Sequence, residues 1–181
     1  MILSDLPLLS LVLFFIWRNG EPFLSIGFTF KNIWREAALG VVLFIPIMLI
    51  MAAVEAALRA GGLSVPQTAP TFLVPSGTFQ IGLAVVFLIV VAVSEEVIFR
   101  GYLIKRFASF SNSPIIALFI SSAIFAVGHG YQRTGGMLGV GVLGLIFGVV
   151  YLWRRSLTAP IVMHFIQNFL GIIALPFGLP S

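Results

Sequence analysis

The sequence predicts an all-α, polytopic transmembrane helix bundle of about six spans, and three observations carry that prediction. Of its 181 residues 60% are hydrophobic, only 9% are charged, and the mean hydropathy is +1.14. An ordinary soluble domain carries roughly 25% charged residues, and far fewer cannot cover a globule that faces water. The 18 Phe and 18 Gly agree, because Phe meets lipid and Gly is commoner in membrane helices than in soluble ones.

A span needs about 20 mostly apolar residues. The candidates run roughly over 2–17, 37–58, 79–104, 114–130, 136–153 and 157–177, separated by polar or Gly/Pro-bearing breaks. The first is short and carries Asp5 and Pro7, has no basic segment before it and no small-residue cleavage site before Arg18, so it reads as a retained span rather than a signal peptide. The stretch from Arg18 to Glu36 mixes Phe and Ile with Lys31, Arg35 and Glu36, which suits a segment lying along the membrane surface. Gly61 to Gly77, with Pro66, Pro70 and Pro75, reads as a loop. Basic residues are heavier in alternate loops, at Arg18, Lys31 and Arg35, then Lys105 and Arg106, then Arg154 and Arg155. Under the positive-inside rule this puts those loops in the cytoplasm and both termini outside. Residues 1–181 therefore read as one membrane-embedded domain of a multi-pass protein in a cell membrane, most at home in a prokaryote.

Several classes are excluded. With 0 Cys there is no disulfide framework, no thiolate nucleophile and no Cys-based zinc or iron–sulfur site. The 10 Lys+Arg against 6 Asp+Glu sit singly or in pairs between apolar runs, which reports orientation and not a nucleic-acid partner. The glycines at 135, 136, 139, 141, 144 and 148 have no basic residue in phosphate-binding position, so they read as close helix packing and no nucleotide is expected.

The chemistry sits in three places. The third candidate span carries Ser94-Glu95-Glu96 and Arg100 inside an apolar run, and ionisable groups at that depth are costly and functional by default. Glu96 and Arg100, four apart, share a helix face and can pair, whereas Glu95 is turned about 100° away and is left free to act. Glu55 with Arg59 reads instead as a helix-end pair. The fourth span ends on His129 with Phe125 one turn before it, and the last sets His164 and Asn168 at i and i+4. A buried carboxylate, two imidazoles and a carboxamide can activate a water and stabilise an oxyanion, the two requirements of peptide hydrolysis. On this reading Glu95, with His129 beside it, takes the proton from water, while His164 and Asn168 donate to the carbonyl oxygen.

These residues resemble the CPBP or Abi group of intramembrane proteases, which includes CAAX prenyl endopeptidases and bacterial bacteriocin-processing and immunity relatives. The family's Glu-Glu-x-x-x-Arg is similar to Glu95 through Arg100, its Phe-x-x-x-His to Phe125 through His129, and its His-x-x-x-Asn to His164 through Asn168. Coverage runs from about residue 80 to 172. The resemblance implies Glu95 as the water-activating residue assisted by His129, His164 and Asn168 as the oxyanion site, Glu96 and Arg100 in support, and no metal. Without a His-Glu-x-x-His helix, any zinc shell would have to come from Glu95, His129 and His164 alone. Implied partners are membrane lipid and a membrane-associated peptide: a prenylated tail, a leader peptide or a membrane anchor, with a peptide-processing or immunity role favoured. The rival readings are a catalytically silent immunity or scaffold protein on the same fold, which would tolerate loss of Glu95, and a proton-coupled transporter, against which stands the lack of an inverted repeat.

One geometric demand follows. A third helix ending at Phe99 would leave Glu95 and His129 near opposite faces, about 20 Å apart at 1.5 Å per residue. The helix is therefore expected to continue through Arg100 to Phe107, bringing Glu95 to mid-depth.

Overall fold

In the computed structural model, which describes residues 2–65 and 74–174, every regular element is helical. The order is α1 (Ile2–Arg18), a short 3-10 turn (Phe23–Ile26), α2 (Ile33–Ala60), α3 (Thr78–Glu95), a π-helical segment (Glu96–Leu103), α4 (Ile104–Ser111), α5 (Pro114–Gly128), a second 3-10 turn (Gly130–Gln132), α6 (Arg133–Arg154), α7 (Thr158–Phe169) and a closing π turn (Leu170–Ala174). Three continuous helical stretches are long and apolar enough to cross a membrane, Ile33–Ala60, Thr78–Ser111 and Gly130–Arg154, and Pro114–Gly128 and Thr158–Ala174 are shorter apolar helices. The middle of the expected 61–77 loop and the end of the sixth expected span lie outside the described residues.

Short-range signals end the helices where the chain must reverse. Asn112 takes a left-handed φ of 53° after α4, and the Ser113 side chain then accepts from the Ile116 N–H at 3.3 Å, with Pro114 at the first position of α5. Arg155 closes α6 in the same left-handed way, φ 54°.

Lipid tails are as apolar as Leu, so helices in a bilayer associate through close packing more than through a hydrophobic drive. The seam between α5 and α6 shows this. A Cβ on Gly148 would stand 2.2 Å from Leu118 Cδ1, and one on Gly144 3.2 Å from Ser122 Cβ. The bundle keeps its apolar exterior: Phe79, Val86, Phe119, Val127 and Leu49 are all exposed.

One end of the bundle is basic. Arg106 and Lys105 of α4 both pair with Glu21, Lys105 also reaches Ser25 Oγ at 2.7 Å, and Arg154 at the end of α6 clasps Glu36 at the start of α2 at 2.6 Å. All 3 Trp in the chain gather at this end, Trp17 beside Arg18, Trp34 beside Arg35 and Trp153 beside Arg154, at 74%, 86% and 61% exposure. An exposed tryptophan ring next to an arginine at a helix end is the signature of a membrane–water interface.

The segment between α1 and α2 is largely exposed, with Phe23, Leu24 and Phe30 open, and is anchored inward at one point. Its 3-10 turn drives Ile26 to full burial against Val97 and Ile98, and Gly101 admits it, because a Cβ there would lie 2.9 Å from the Ile26 carbonyl oxygen.

The third helix does continue, beyond the expected 104 and past Phe107 to Ser111. The apolar run ends at Ile104, but ion pairing of Lys105 and Arg106 with Glu21 gives the next turns a reason to stay helical. Glu95 thus lies roughly 24 Å above the Ser111 end, and α5, which starts at Pro114, brings His129 up by roughly 22 Å. The short fifth helix lifts the imidazole to the depth of the carboxylate.

Candidate functional site

The two carboxylates sit where α3 passes into the π-helical segment. Single π-turns inside α-helices recur at functional sites because the added residue changes which side chains share a face. Here the Ile104 N–H reaches back to the Phe99 carbonyl, which also accepts from Ser121 Oγ of α5 at 2.6 Å. Ser121 therefore ties the widened turn to the neighbouring helix, a contact made across 22 residues that helical spacing does not announce.

Glu95, Glu96, Arg100 and His164 are all buried, at 2%, 0%, 2% and 5% exposure. Arg100 Nη1 donates to Glu96 Oε1 at 2.8 Å, and His164 Nδ1 lies 2.8 Å from the same oxygen. A carboxylate beside a guanidinium accepts, so His164 carries its proton on Nδ1 and turns Nε2 toward Glu95, 3.4 Å from Oε2. At this distance Glu95 Oε2 makes no hydrogen bond among the described residues, so this carboxylate stands open beside the imidazole while Glu96 is held by Arg100 and His164 Nδ1.

Aromatic rings hold the cations. The Arg100 guanidinium carbon lies 4.4 Å from the centre of the Phe125 ring and 5.5 Å from that of Phe147. Phe147 is also 5.8 Å from the His164 ring, and Phe125 stands edge-on to it at 6.2 Å. Such contacts stabilise by about 2 kcal/mol when desolvated. Phe125 is the residue one turn before His129; Phe147 lies in the glycine-rich α6, where nothing in the local sequence sets it apart from the other apolar residues.

His129 follows α5 as its C-cap, 8% exposed, with Nδ1 2.9 Å from the Phe125 carbonyl oxygen. That oxygen can only accept, so Nδ1 is the donor and Nε2 is left as the ring's accepting nitrogen. Its ring is 4.6 Å from Phe125 and 5.8 Å from Tyr131. The imidazole brought onto Glu95 is His164, and both histidine rings contact Phe125, His129 at 4.6 Å and His164 at 6.2 Å. Asn168 is half-buried one turn on from His164. Asp5 of α1, marked in the sequence only as a charge in the first span, is near enough for its field to act on Glu95. Glu55 pairs with Arg59 at 2.5 Å near the end of α2, as its spacing suggests, and Arg59 reaches the Val65 carbonyl at 3.4 Å as well.

Among the described residues no three His, Cys, Asp or Glu side chains are grouped so as to hold a metal ion. Each histidine has its Nδ1 on an acceptor, Glu96 Oε1 for His164 and the Phe125 carbonyl oxygen for His129.

Comparison with known proteins gives one positive result. Residues 77–170 match the family model described as Type II CAAX prenyl endopeptidase Rce1-like. That span takes in α3 through α7, and with them Glu95, Glu96, Arg100, His129, His164 and Asn168. No curated protein and no solved structure shows a match to the chain.

Proposed function

From the premise that this chain belongs to the type II CAAX prenyl endopeptidase Rce1-like family, we propose that it is a glutamate-dependent intramembrane endopeptidase that hydrolyses a membrane-associated peptide. The observation that carries the reading is the Glu95–His164 approach of 3.4 Å beside a Glu96 already committed to Arg100 and His164 Nδ1. One carboxylate is locked and its neighbour is left with a proton partner.

The reaction follows from those positions. Glu95 takes a proton from a water molecule while the resulting hydroxide adds to the scissile carbonyl carbon. The carbonyl oxygen becomes an oxyanion and receives hydrogen bonds from His164 Nε2–H and the Asn168 carboxamide. Collapse of the tetrahedral intermediate breaks the C–N bond, the proton on Glu95 passes to the departing amine, and the products are a carboxylic acid, which keeps the water's other proton, and an amine. His129 contributes its unprotonated Nε2 as a second acceptor that orients the water. Arg100 and Glu96 fix the His164 ring and do not touch the substrate. Substrates of this reading are leader peptides or membrane anchors in a prokaryotic cell membrane, since the site lies at mid-depth and prenylation is not general there.

The test is cleavage of membrane-tethered peptides by protein reconstituted in nanodiscs, wild type against Glu95→Gln, with thermal unfolding of both and a chelator arm. Loss of at least about a hundredfold in rate in a folded Glu95→Gln protein, with wild-type activity unchanged by chelator, is the expected result. Equal behaviour of the two proteins would overturn the proposal in favour of a binding scaffold.

A further inference from the structure

Outside the catalytic cluster, α2, α6 and α7 enclose a cleft of ≈ 260 Å³ that the reaction above does not use. A cavity of about 150 Å³ already holds a benzene ring, so this one has room for a large side chain and the amide attached to it, but not for a long isoprenoid. Its walls include the adaptable side chains of Met48 and Met51 and the bare backbone at Gly139. Two carboxamides line it, Gln132 and Gln167, each three residues beyond a site histidine. Gln167 is therefore one turn from His164, about 4.5 Å along the helix axis. Its Oε1 is buried and meets no hydrogen-bond donor among the described residues.

A buried acceptor without a donor is costly, and a bound molecule that supplies the donor is one way in which such a group is satisfied. A backbone N–H of an extended peptide is such a donor. We propose that this cleft is the substrate's side-chain subsite: it takes one large uncharged side chain of the peptide, and Gln167 Oε1 accepts the N–H beside it. The proposal rests on the endopeptidase reading and adds where specificity resides. Met48, Met51, Val54 and Leu143 make the wall apolar, and the carboxylate in it, Glu55, is already paired with Arg59, so a charged side chain is disfavoured. Gly139 sets the depth, since among the described residues a Cβ there would meet only Met51 Cε, at 3.8 Å.

The chain has 0 Cys, so Gly139→Cys places a single thiol in the cleft. The experiment is alkylation of that thiol by N-ethylmaleimide in nanodiscs, in the presence of lipid-tethered polar decapeptides with one Phe moved along them, and cleavage of the same peptides by wild type. We expect one Phe register to slow alkylation about tenfold, the all-polar peptide to slow it less than twofold, and that register to be the best cleaved. In parallel, Gly139→Leu should reverse the preference from Phe toward Ala by about tenfold in kcat/KM, with the Ala peptide within threefold of wild type. Gln167→Met, checked for folding, should raise KM about tenfold with kcat held within twofold. Peptides that are cleaved without protecting the thiol, or a thiol that never reacts, would overturn the subsite. Protection without cleavage by wild type would retain the cleft as a peptide site and remove the endopeptidase reading instead.

Discussion

His164 and Glu96 lie 68 residues apart in the chain, yet His164 Nδ1 and Glu96 Oε1 meet at 2.8 Å, on the same oxygen that Arg100 holds at 2.8 Å. One carboxylate oxygen thus joins α7 to the π-helical segment through two partners, and all three residues are buried. Removing one member of a buried ion pair leaves an uncompensated charge, at a cost of about 3–5 kcal/mol. Glu96→Gln should therefore lower stability by about that amount. The double variant Glu96→Gln with Arg100→Met should recover part of the loss, because it removes the stranded guanidinium. Thermal unfolding of the four proteins in one detergent measures the coupling directly; additive losses would show that the pair does not act as a unit.

The interface at the basic end gives a prediction in pH. Hydrogen bonding from Lys105, then from Arg106, pulls the Glu21 carboxyl down from 4.5 to about 2. A depressed folded-state pKa contributes stability that is present above the unfolded value and is lost as pH falls through the folded one. Glu21→Gln should therefore be less stable than wild type at pH 7, and the gap should close between pH 4.5 and about 2. Melting of both proteins at pH 7 and at stepped acid values reads this out. A gap that stays constant across that window would show the ion pairs to contribute nothing.

Much of the fold is legible in the sequence because it depends on short-range features. The apolar runs became helices, and the i,i+4 spacing of Glu96 and Arg100 anticipates their pair because one helix turn fixes it. What depends on the crossing of separate helices is not legible. Nothing local says that His164 rather than His129 would stand at Glu95, since that follows from the packing of α7 against α3. Nothing near Glu21 in the sequence marks it, because its partners are 84 and 85 residues away. The continuation of the third helix to Phe107 is legible from the depth that Glu95 must share with His129. Only its last turn to Ser111 is not, because the ion pairs that hold Lys105 and Arg106 come from Glu21, far away in the chain.

The glycines of α6 are the last case, and they can be tested one residue at a time. A Cβ at Gly148 would stand 2.2 Å from Leu118 Cδ1 and 3.5 Å from Ile104 Cδ1, so the α5–α6 seam is set by the absence of that one atom. Gly148→Ala should destabilise by about 1–3 kcal/mol, the usual cost of overpacking a close contact, although alanine is the better helix former. Because the clash is with a side-chain end and not with backbone, shortening it makes room, and adding Leu118→Ala to Gly148→Ala should restore stability relative to Leu118→Ala alone. If alanine at 148 is harmless by itself, α5 yields at that point and the seam is looser than the 2.2 Å approach implies. If it is harmful and Leu118→Ala does not relieve it, the damage lies in the helix backbone and not at the seam.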